Sequence, residues 1–166
     1  FALFFSFRFE RITLQGAYVC LWGFAAVMGL SMASIFLVFT GASIASSFFI
    51  AASMFLAVSL WAYTTKADLS RWSSFLVMGL IGVVIASLVN LFLQSGPLQL
   101  VISIIGVIVF TALTAWDTQR AKAEYIAYGG GAATEKLAVM SAFSLYLNFV
   151  NIFQLLLQFI GVQKSE

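Results

Sequence analysis

One carboxylate, Asp117, stands at the end of a long uncharged tract and precedes Arg120 by three residues. No charged side chain occurs between Trp72 and Trp116. An ionisable group at the edge of a hydrocarbon layer is costly, so by default it marks a pathway, a sensor or a paired contact. The chemistry to expect is that of a carboxylate that pairs with a cation or exchanges a proton, and its role depends on its partner.

Two interpretations of Asp117 stay open. In the first, it is an interface carboxylate paired with Arg120 or with an adjacent basic loop, which would offset the unfavourable placement of a negative charge toward a helix C-terminus. In the second, it is a titratable latch, a partly buried acid that switches a pore when its partner leaves or when it binds a proton.

A second polar set lies on the last apolar segment. Asn148, Asn151, Gln154 and Gln158 share a sector of about 120° on a helical wheel, and Asn90 is grouped with them as a candidate pore residue. Four amides on a lipid-facing surface would be costly, so this face points into the protein or toward water. They either form interhelical hydrogen bonds, each worth about 0.6 kcal/mol, or line a hydrated pathway. Either way, the last helix is predicted to be a core helix surrounded by the others.

Composition defines the class of protein that holds these groups. The chain has 166 residues, of which 63% are hydrophobic and 8% charged, and a soluble domain could not cover so much apolar surface. The sequence predicts an all-α, polytopic membrane helix bundle, because the short alternating segments of a barrel are absent. Residues 1–166 are treated as a single transmembrane domain.

Several classes are excluded or disfavoured by residue types. His is absent and Cys20 is the only cysteine, which excludes a disulfide framework and a Cys/His zinc site within the chain. An aspartyl intramembrane protease needs two facing carboxylates and a serine type relies on a His base, so we expect no enzyme. The net charge of +2, the lack of a basic array and the lack of a phosphate loop predict no nucleic acid, metal or cofactor site.

The uncharged tracts from Ile12 to Thr65 and from Trp72 to Trp116 are each too long for one membrane crossing and are predicted to make two. Tight turns are expected to join the crossings at Thr40-Gly41-Ala42-Ser43 and Gln94-Ser95-Gly96-Pro97. Ser43 is the expected cap of the helix after the first turn. The helix that ends near residue 118 is expected to continue past the membrane as 120–128 because Arg120 and Glu124 form an i,i+4 pair. The predicted spans are 15–39, 44–63, 73–93, 98–118 and 137–162.

Basic residues indicate an orientation. Alternate loops carry nearly all of them, and the positive-inside rule places those loops in the cytoplasm and the C-terminus outside. The basic residues of the charged loops are Arg8, Arg11, Lys66, Arg71, Arg120, Lys122 and Lys136.

Residues 1–7 are apolar but too short to cross a bilayer. We therefore expect them to be the tail of a span whose beginning is missing, and the chain to be a fragment.

Five short segments, in order and spacing, resemble the Bax inhibitor-1 family in its bacterial form. That resemblance implies seven helices, six of them around a central seventh, in a bacterial inner or plasma membrane. It also implies that the first helix and half of the second are missing here. The segments are Gly29-Leu30-Ser31-Met32-Ala33-Ser34-Ile35, Thr65-Lys66-Ala67-Asp68-Leu69-Ser70, Asn90-Leu91-Phe92, residues 114–122, and Leu145-Tyr146-Leu147-Asn148-Phe149-Val150-Asn151-Ile152-Phe153.

The resemblance implies a pH-sensitive calcium leak whose sensor pairs two aspartates with an arginine latch. By that resemblance the first aspartate is Asp117 and the arginine is Arg11, with Arg8 as the alternative. The second aspartate is replaced by Asn148, which removes the repulsion between two carboxylates. We therefore expect a calcium leak with weaker or acid-shifted pH gating.

A different class of function stays open beside the channel. Some bacterial members of the family are linked to modulating a membrane protease, so the resemblance also permits a non-conducting regulator that binds another membrane protein. The expected partners are therefore the lipid bilayer, calcium ions as transported ions, and a membrane protease or another membrane protein. A regulator would show no flux in purified vesicles, whereas a channel would conduct alone.

Overall fold

The computed structural model describes residues 13–164, and the regular structure in this range is almost entirely helical. A 3₁₀ turn, Leu69–Trp72, leads into the fourth helix, and an isolated antiparallel bridge joins Phe39 to Gln163. The helices are α1 (Leu14–Met32), α2 (Ile35–Val38), α3 (Gly41–Thr64), α4 (Ser73–Leu93), α5 (Gly96–Tyr128) and α6 (Ala132–Ile160).

Within the described residues, five segments are long and apolar enough to cross a membrane. This confirms the predicted all-α, polytopic class. Large apolar side chains such as Phe92, Leu37 and Leu30 project outward and are largely exposed, which is the arrangement that lipid contact requires. The segments are Leu14–Val38, Gly41–Thr64, Leu69–Leu93, Gly96–Tyr128 and Thr134–Ile160.

A tight turn joins the two helices of each hairpin, and the helix after each turn starts with a hydroxyl cap. Thr40 Oγ1 accepts the backbone N–H of Ser43 at 3.3 Å, so Thr40 is the cap of α3 and the expectation that Ser43 caps it is wrong. The helix begins at Gly41 because the Thr40 side chain already satisfies a free donor of the first turn. Ser95 caps α5 in the same way, and proline occupies its first turn.

The first membrane segment is interrupted, although the sequence predicts one helix there. At Ala33 the backbone N–H bonds the carbonyl of Leu30, three residues back, and Ser34 Oγ donates to the carbonyl of Ser31 at 3.2 Å. The tighter i→i+3 pattern and the competing hydroxyl end α1 and separate it from α2.

The last helix is the most buried of the five segments. In its most apolar stretch of 18 residues, 44% of the residues are buried, against 0% in the corresponding stretch of the first segment. It packs against α1, α3 and α5, and its residues Ile152 and Leu157 lie at the centre of the main core. Phe149 contributes edge-to-face contacts with Phe48 and Phe55 of α3. An interior position is therefore imposed on the helix that carries the amides.

The helices α5 and α6 approach closely because α5 has no side chain at Gly106. A Cβ atom built at this position would lie 2.6 Å from Leu155 Cδ1, which is inside van der Waals contact. Small residues at helix interfaces let backbones approach in membranes, where packing drives association. The close approach brings the polar groups of both helices within reach of each other.

Candidate functional site

Asp117 and Asn148 form a buried hydrogen bond between α5 and α6. Asn148 Nδ2 donates to Asp117 Oδ2 at 2.8 Å, and the two residues are 6% and 5% exposed. A hydrogen bond to an ionised acceptor is stronger than a neutral one. The pair therefore joins the two helices at the point where the uncharged tract of α5 ends.

Arg120 lies between two carboxylates on α5. Its Nη2 is 3.5 Å from Asp117 Oδ1, and its Nε is 3.5 Å from Glu124 Oε1. The guanidinium also lies over the Trp116 ring, 5.1 Å from the centroid. The i,i+3 and i,i+4 spacings place all three charges on one helix face. Arg120 is thus the cation that compensates the buried Asp117 among the described residues.

The charged row reaches α6 at a second point. Ser141 Oγ donates to Glu124 Oε2 at 3.4 Å. Asp117 and Glu124 are therefore each tied to α6, the first by an amide and the second by a hydroxyl. Between the two ties, Arg120 links the carboxylates into one polar network.

The α5 backbone around Asp117 is held by neighbouring threonines. Thr114 Oγ1 donates to the Phe110 carbonyl and Thr118 Oγ1 to the Thr114 carbonyl, each at 2.8 Å. Thr118 Oγ1 also lies 3.4 Å from Ser59 Oγ of α3. These contacts satisfy the hydroxyl groups internally, which the hydrocarbon environment requires.

The other predicted amides take separate roles along α6. Asn151 Nδ2 donates to the Leu147 carbonyl of its own helix at 2.8 Å. Gln154 and Gln158 face a cavity of 390 Å³ between α4, α5 and α6. Its lining is Val83, Val84, Ser87, Leu88, Leu91, Gln99, Phe110, Asn151, Gln154, Leu155 and Gln158.

A chain of amide hydrogen bonds lies at one end of this cavity. Gln99 Nε2 donates to Gln158 Oε1, and Asn90 Nδ2 donates to Gln99 Oε1 at 2.8 Å. Asn90 Oδ1 accepts the Ser95 backbone N–H at 3.0 Å. The polar face predicted from α6 therefore continues onto α4 and α5 through a residue, Gln99, that the sequence analysis did not single out. No spacing in the sequence indicates the contact with Gln158, because the two residues are 59 positions apart.

The predicted sensor residues are placed only in part. Asp117 and Asn148 are in contact, whereas Arg11, and Arg8 as its alternative, lie outside the described residues. Glu124 and Ser141 extend the site beyond the predicted set. Gln119, two residues after Asp117, instead holds the loop before α4: its side chain accepts from Leu69 N–H and donates to the Ala67 carbonyl.

The chemistry available at this site is that of oxygen ligands and of two carboxylates, the buried Asp117 and the less buried Glu124. One buried carboxylate faces an amide, and further amides follow along α6. Within residues 13–164, no three His, Cys, Asp or Glu side chains cluster as a metal site would require. Carboxylate and amide oxygens are ligands that hard cations accept, but the arrangement lacks the charge of a tight divalent site.

These features define a polytopic α-helical membrane protein whose last two helices share a buried carboxylate–amide pair. Residues 1–165 match the family model described as inhibitor of apoptosis-promoting Bax1. The chain belongs to this family, the Bax inhibitor-1 family.

Bacterial relatives resemble the chain over most of its length. A Rickettsia prowazekii protein is 48% identical over 164 residues, which is 99% of this chain and 70% of the relative. Inner membrane protein YbhL of Escherichia coli is 48% identical over 143 residues, 85% of this chain and 61% of YbhL. A Caulobacter vibrioides protein is 45% identical over 145 residues, 87% of this chain and 58% of that protein. The chain thus spans about six to seven tenths of these relatives.

Proposed function

We propose that this protein provides a cation leak across the membrane, with calcium as the transported ion, and that the Asp117–Asn148 pair controls it. The observation that carries the proposal is the buried 2.8 Å hydrogen bond between the two side chains. A buried acid held by a neutral partner on the most interior helix is costly in hydrocarbon, and such residues mark ion pathways and proton relays.

The polar surface beyond the pair supports a route rather than an isolated contact. From Asn148 the amide face of α6 continues through Asn151 and Gln154 to the cavity that Gln158 borders. Amide and carboxylate oxygens are ligands that calcium accepts. The choice of calcium comes from the family resemblance, since these groups also suit monovalent cations and protons.

The pH response is proposed to be weak. Two facing carboxylates share one proton and repel each other when both are ionised, so their contact changes sharply with pH. Asn148 carries no charge at any pH, and its bond to Asp117 lacks that repulsion. Proton binding by Asp117 alone remains as the pH-dependent event. Arg11 stays a proposed latch by resemblance.

Calcium flux into vesicles that contain the purified protein tests this proposal. Flux is measured at acid and alkaline pH for the unaltered protein, Asp117→Asn and Asn148→Asp. We expect Asp117→Asn to change the flux several-fold and to remove its pH dependence, and Asn148→Asp to make the pH dependence steeper. Ser74→Ala, on the exposed start of α4, is the matched control and is expected to conduct normally.

The alternative function gives a different outcome in the same assay. A non-conducting regulator of another membrane protein, such as a membrane protease, would show no flux above empty vesicles and would co-purify with that partner. Unchanged flux and pH response in Asp117→Asn would make Asp117 a structural residue, and the leak would then need another gate.

A further inference from the structure

An open apolar groove runs over the outer face of α5, between α3 and α4. Both helices pack on α5, and the space between them consists of two adjoining cavities of 370 and 340 Å³. The two cavities share four lining residues, so they form one continuous groove. The shared residues are Trp61, Ile108, Ala112 and Ala115.

The length of the groove along α5 is close to the thickness of the hydrocarbon part of one lipid leaflet. Its floor extends along α5 from Val107 to Ala115, which at 1.5 Å per residue is about 12 Å. Half of a hydrocarbon core of about 30 Å is about 15 Å. The floor is low because Ala112 and Ala115 have small side chains, whereas Met54 and Phe75 stand in the walls.

Aromatic residues surround the end of the groove nearest the loop before α4. Trp61 and Trp72 line this end and are about half exposed. Tryptophan is enriched where the bilayer meets water, because its ring is apolar and its N–H is polar. This end of the groove is therefore expected to lie at the membrane–water interface.

A basic loop is fixed at the same end. Leu69 lines the groove, and its backbone N–H donates to Gln119 Oε1 at 2.9 Å. Gln119 Nε2 donates to the Ala67 carbonyl at 2.7 Å, so a single side chain of α5 anchors the loop. In this loop, Arg71 directly precedes Trp72 of the groove lining, and Lys66 lies three residues before Leu69.

Arg71 remains available to an anionic ligand. Its contact with Asp68 is 3.8 Å long, and both side chains are largely exposed. Exposed ion pairs of this kind are weak. Asp68 has a separate structural role, because its Oδ1 accepts the Ser70 backbone N–H at 3.0 Å. Among residues 13–164, an incoming phosphate would therefore compete only with this weak partner.

We propose that the groove binds one anionic phospholipid, with an acyl chain against Ala112 and Ala115 and the phosphate at Arg71 and Lys66. A ligand that is apolar along its length and negative at one end matches a groove that is apolar along its length and basic at one end. Basic side chains beside a membrane attract anionic lipids. The site is separate from the Asp117–Asn148 pair and does not depend on ion conduction.

Tryptophan quenching by brominated lipids tests the proposal. The protein with Trp22→Phe and Trp116→Phe retains Trp61 and Trp72, which both border the groove. It is reconstituted into phosphatidylcholine vesicles that contain equal small fractions of brominated phosphatidylglycerol or brominated phosphatidylcholine. We expect the anionic lipid to be preferred about five-fold, as attraction to basic residues at the surface predicts.

Two variants separate the headgroup from the acyl chain. Lys66→Gln with Arg71→Gln is expected to reduce the preference to equality, while Lys136→Gln, on the same charged side but in α6, is expected to retain it. Ala112→Leu fills the groove floor and is expected to lower quenching by both lipids about two-fold, since its added atoms occupy the acyl site.

A salt titration of the protein with Lys66 and Arg71 unchanged checks the result without any loop variant. Screening shortens the range of charge attraction, so the preference should weaken between low salt and about 1 M salt. Equal quenching by both lipids, a preference that survives loss of both basic residues, or full quenching in Ala112→Leu would each overturn the proposal.

Discussion

Asn148 Nδ2 donates a 2.8 Å hydrogen bond to Asp117 Oδ2, and this bond joins the two helices that carry most of the polar residues of the interior. It gives a buried carboxylate a neutral partner on the opposite helix, while Arg120 supplies charge from the same helix. Each partner can be removed separately, and the contributions to stability and to gating can therefore be measured apart.

Removing the amide should destabilise the protein more than removing a neighbouring amide. Asn148→Leu leaves Asp117 without its interhelical donor, and an unsatisfied buried group costs about 1–3 kcal/mol. Asn151→Leu is the matched control, because Asn151 bonds only the Leu147 carbonyl of its own helix in the described structure. The free energy of unfolding in detergent micelles measures both. Equal losses would show that the interhelical bond contributes little.

Restoring a carboxylate at position 148 should make stability depend on pH. In Asn148→Asp, two carboxylates would stand within hydrogen-bonding distance across the α5–α6 interface, where Asn148 now bonds Asp117. They repel once both are ionised and share a proton when one is protonated. We expect this variant to unfold at a lower temperature at alkaline pH and to recover toward the unaltered protein at acid pH. Parallel melting curves across pH would contradict the argument.

Arg120 should be coupled to Asp117. Arg120→Gln leaves a buried carboxylate without its cation and removes the contact with Trp116. In a double-mutant cycle with Asp117→Asn, we expect a coupling of about 0.5–3 kcal/mol, the range for residues in one network. The exposed pair of Arg71 and Asp68 is the control, because its loss in Arg71→Gln is expected to lower the free energy of unfolding by only about 0.2–1 kcal/mol. Additive losses would show that Arg120 and Asp117 act independently.

A methyl group at Gly106 should separate α5 from α6. In Gly106→Ala the new atom would meet Leu155 at 2.6 Å, and overpacking of this kind costs about 1–3 kcal/mol. Gly82→Ala has no heavy atom within 4 Å of the new Cβ and is expected to leave stability unchanged or slightly higher. Unfolding in micelles compares the two. Equal stability of both variants would mean that Leu155 moves aside without cost.

The interior position of the amide face of α6 was predictable from the sequence, but most of its hydrogen-bond partners were not. Its four residues share a helical sector, so an interior position follows from the cost of amides in lipid. The helical wheel did not predict their partners, and the pairing of Asn148 with Asp117 was expected only from the family resemblance. Asn151 bonds its own helix, Gln158 meets Gln99, and Asn148 meets Asp117. One helical wheel defines a face, but it contains no information about the rotation of the neighbouring helix.

The sequence by itself determined the class of protein, the location of five membrane-length helices and the presence of a carboxylate in an apolar setting. These follow from local composition, because hydrocarbon excludes unpaired charge and requires every backbone bond to be made within a helix. The tertiary structure decided which groups meet. The close approach at Gly106 and Leu155 aligns α5 with α6, and that alignment brings Asn148 to Asp117. Such contacts depend on the packing of side chains distant in the chain, which local composition does not specify.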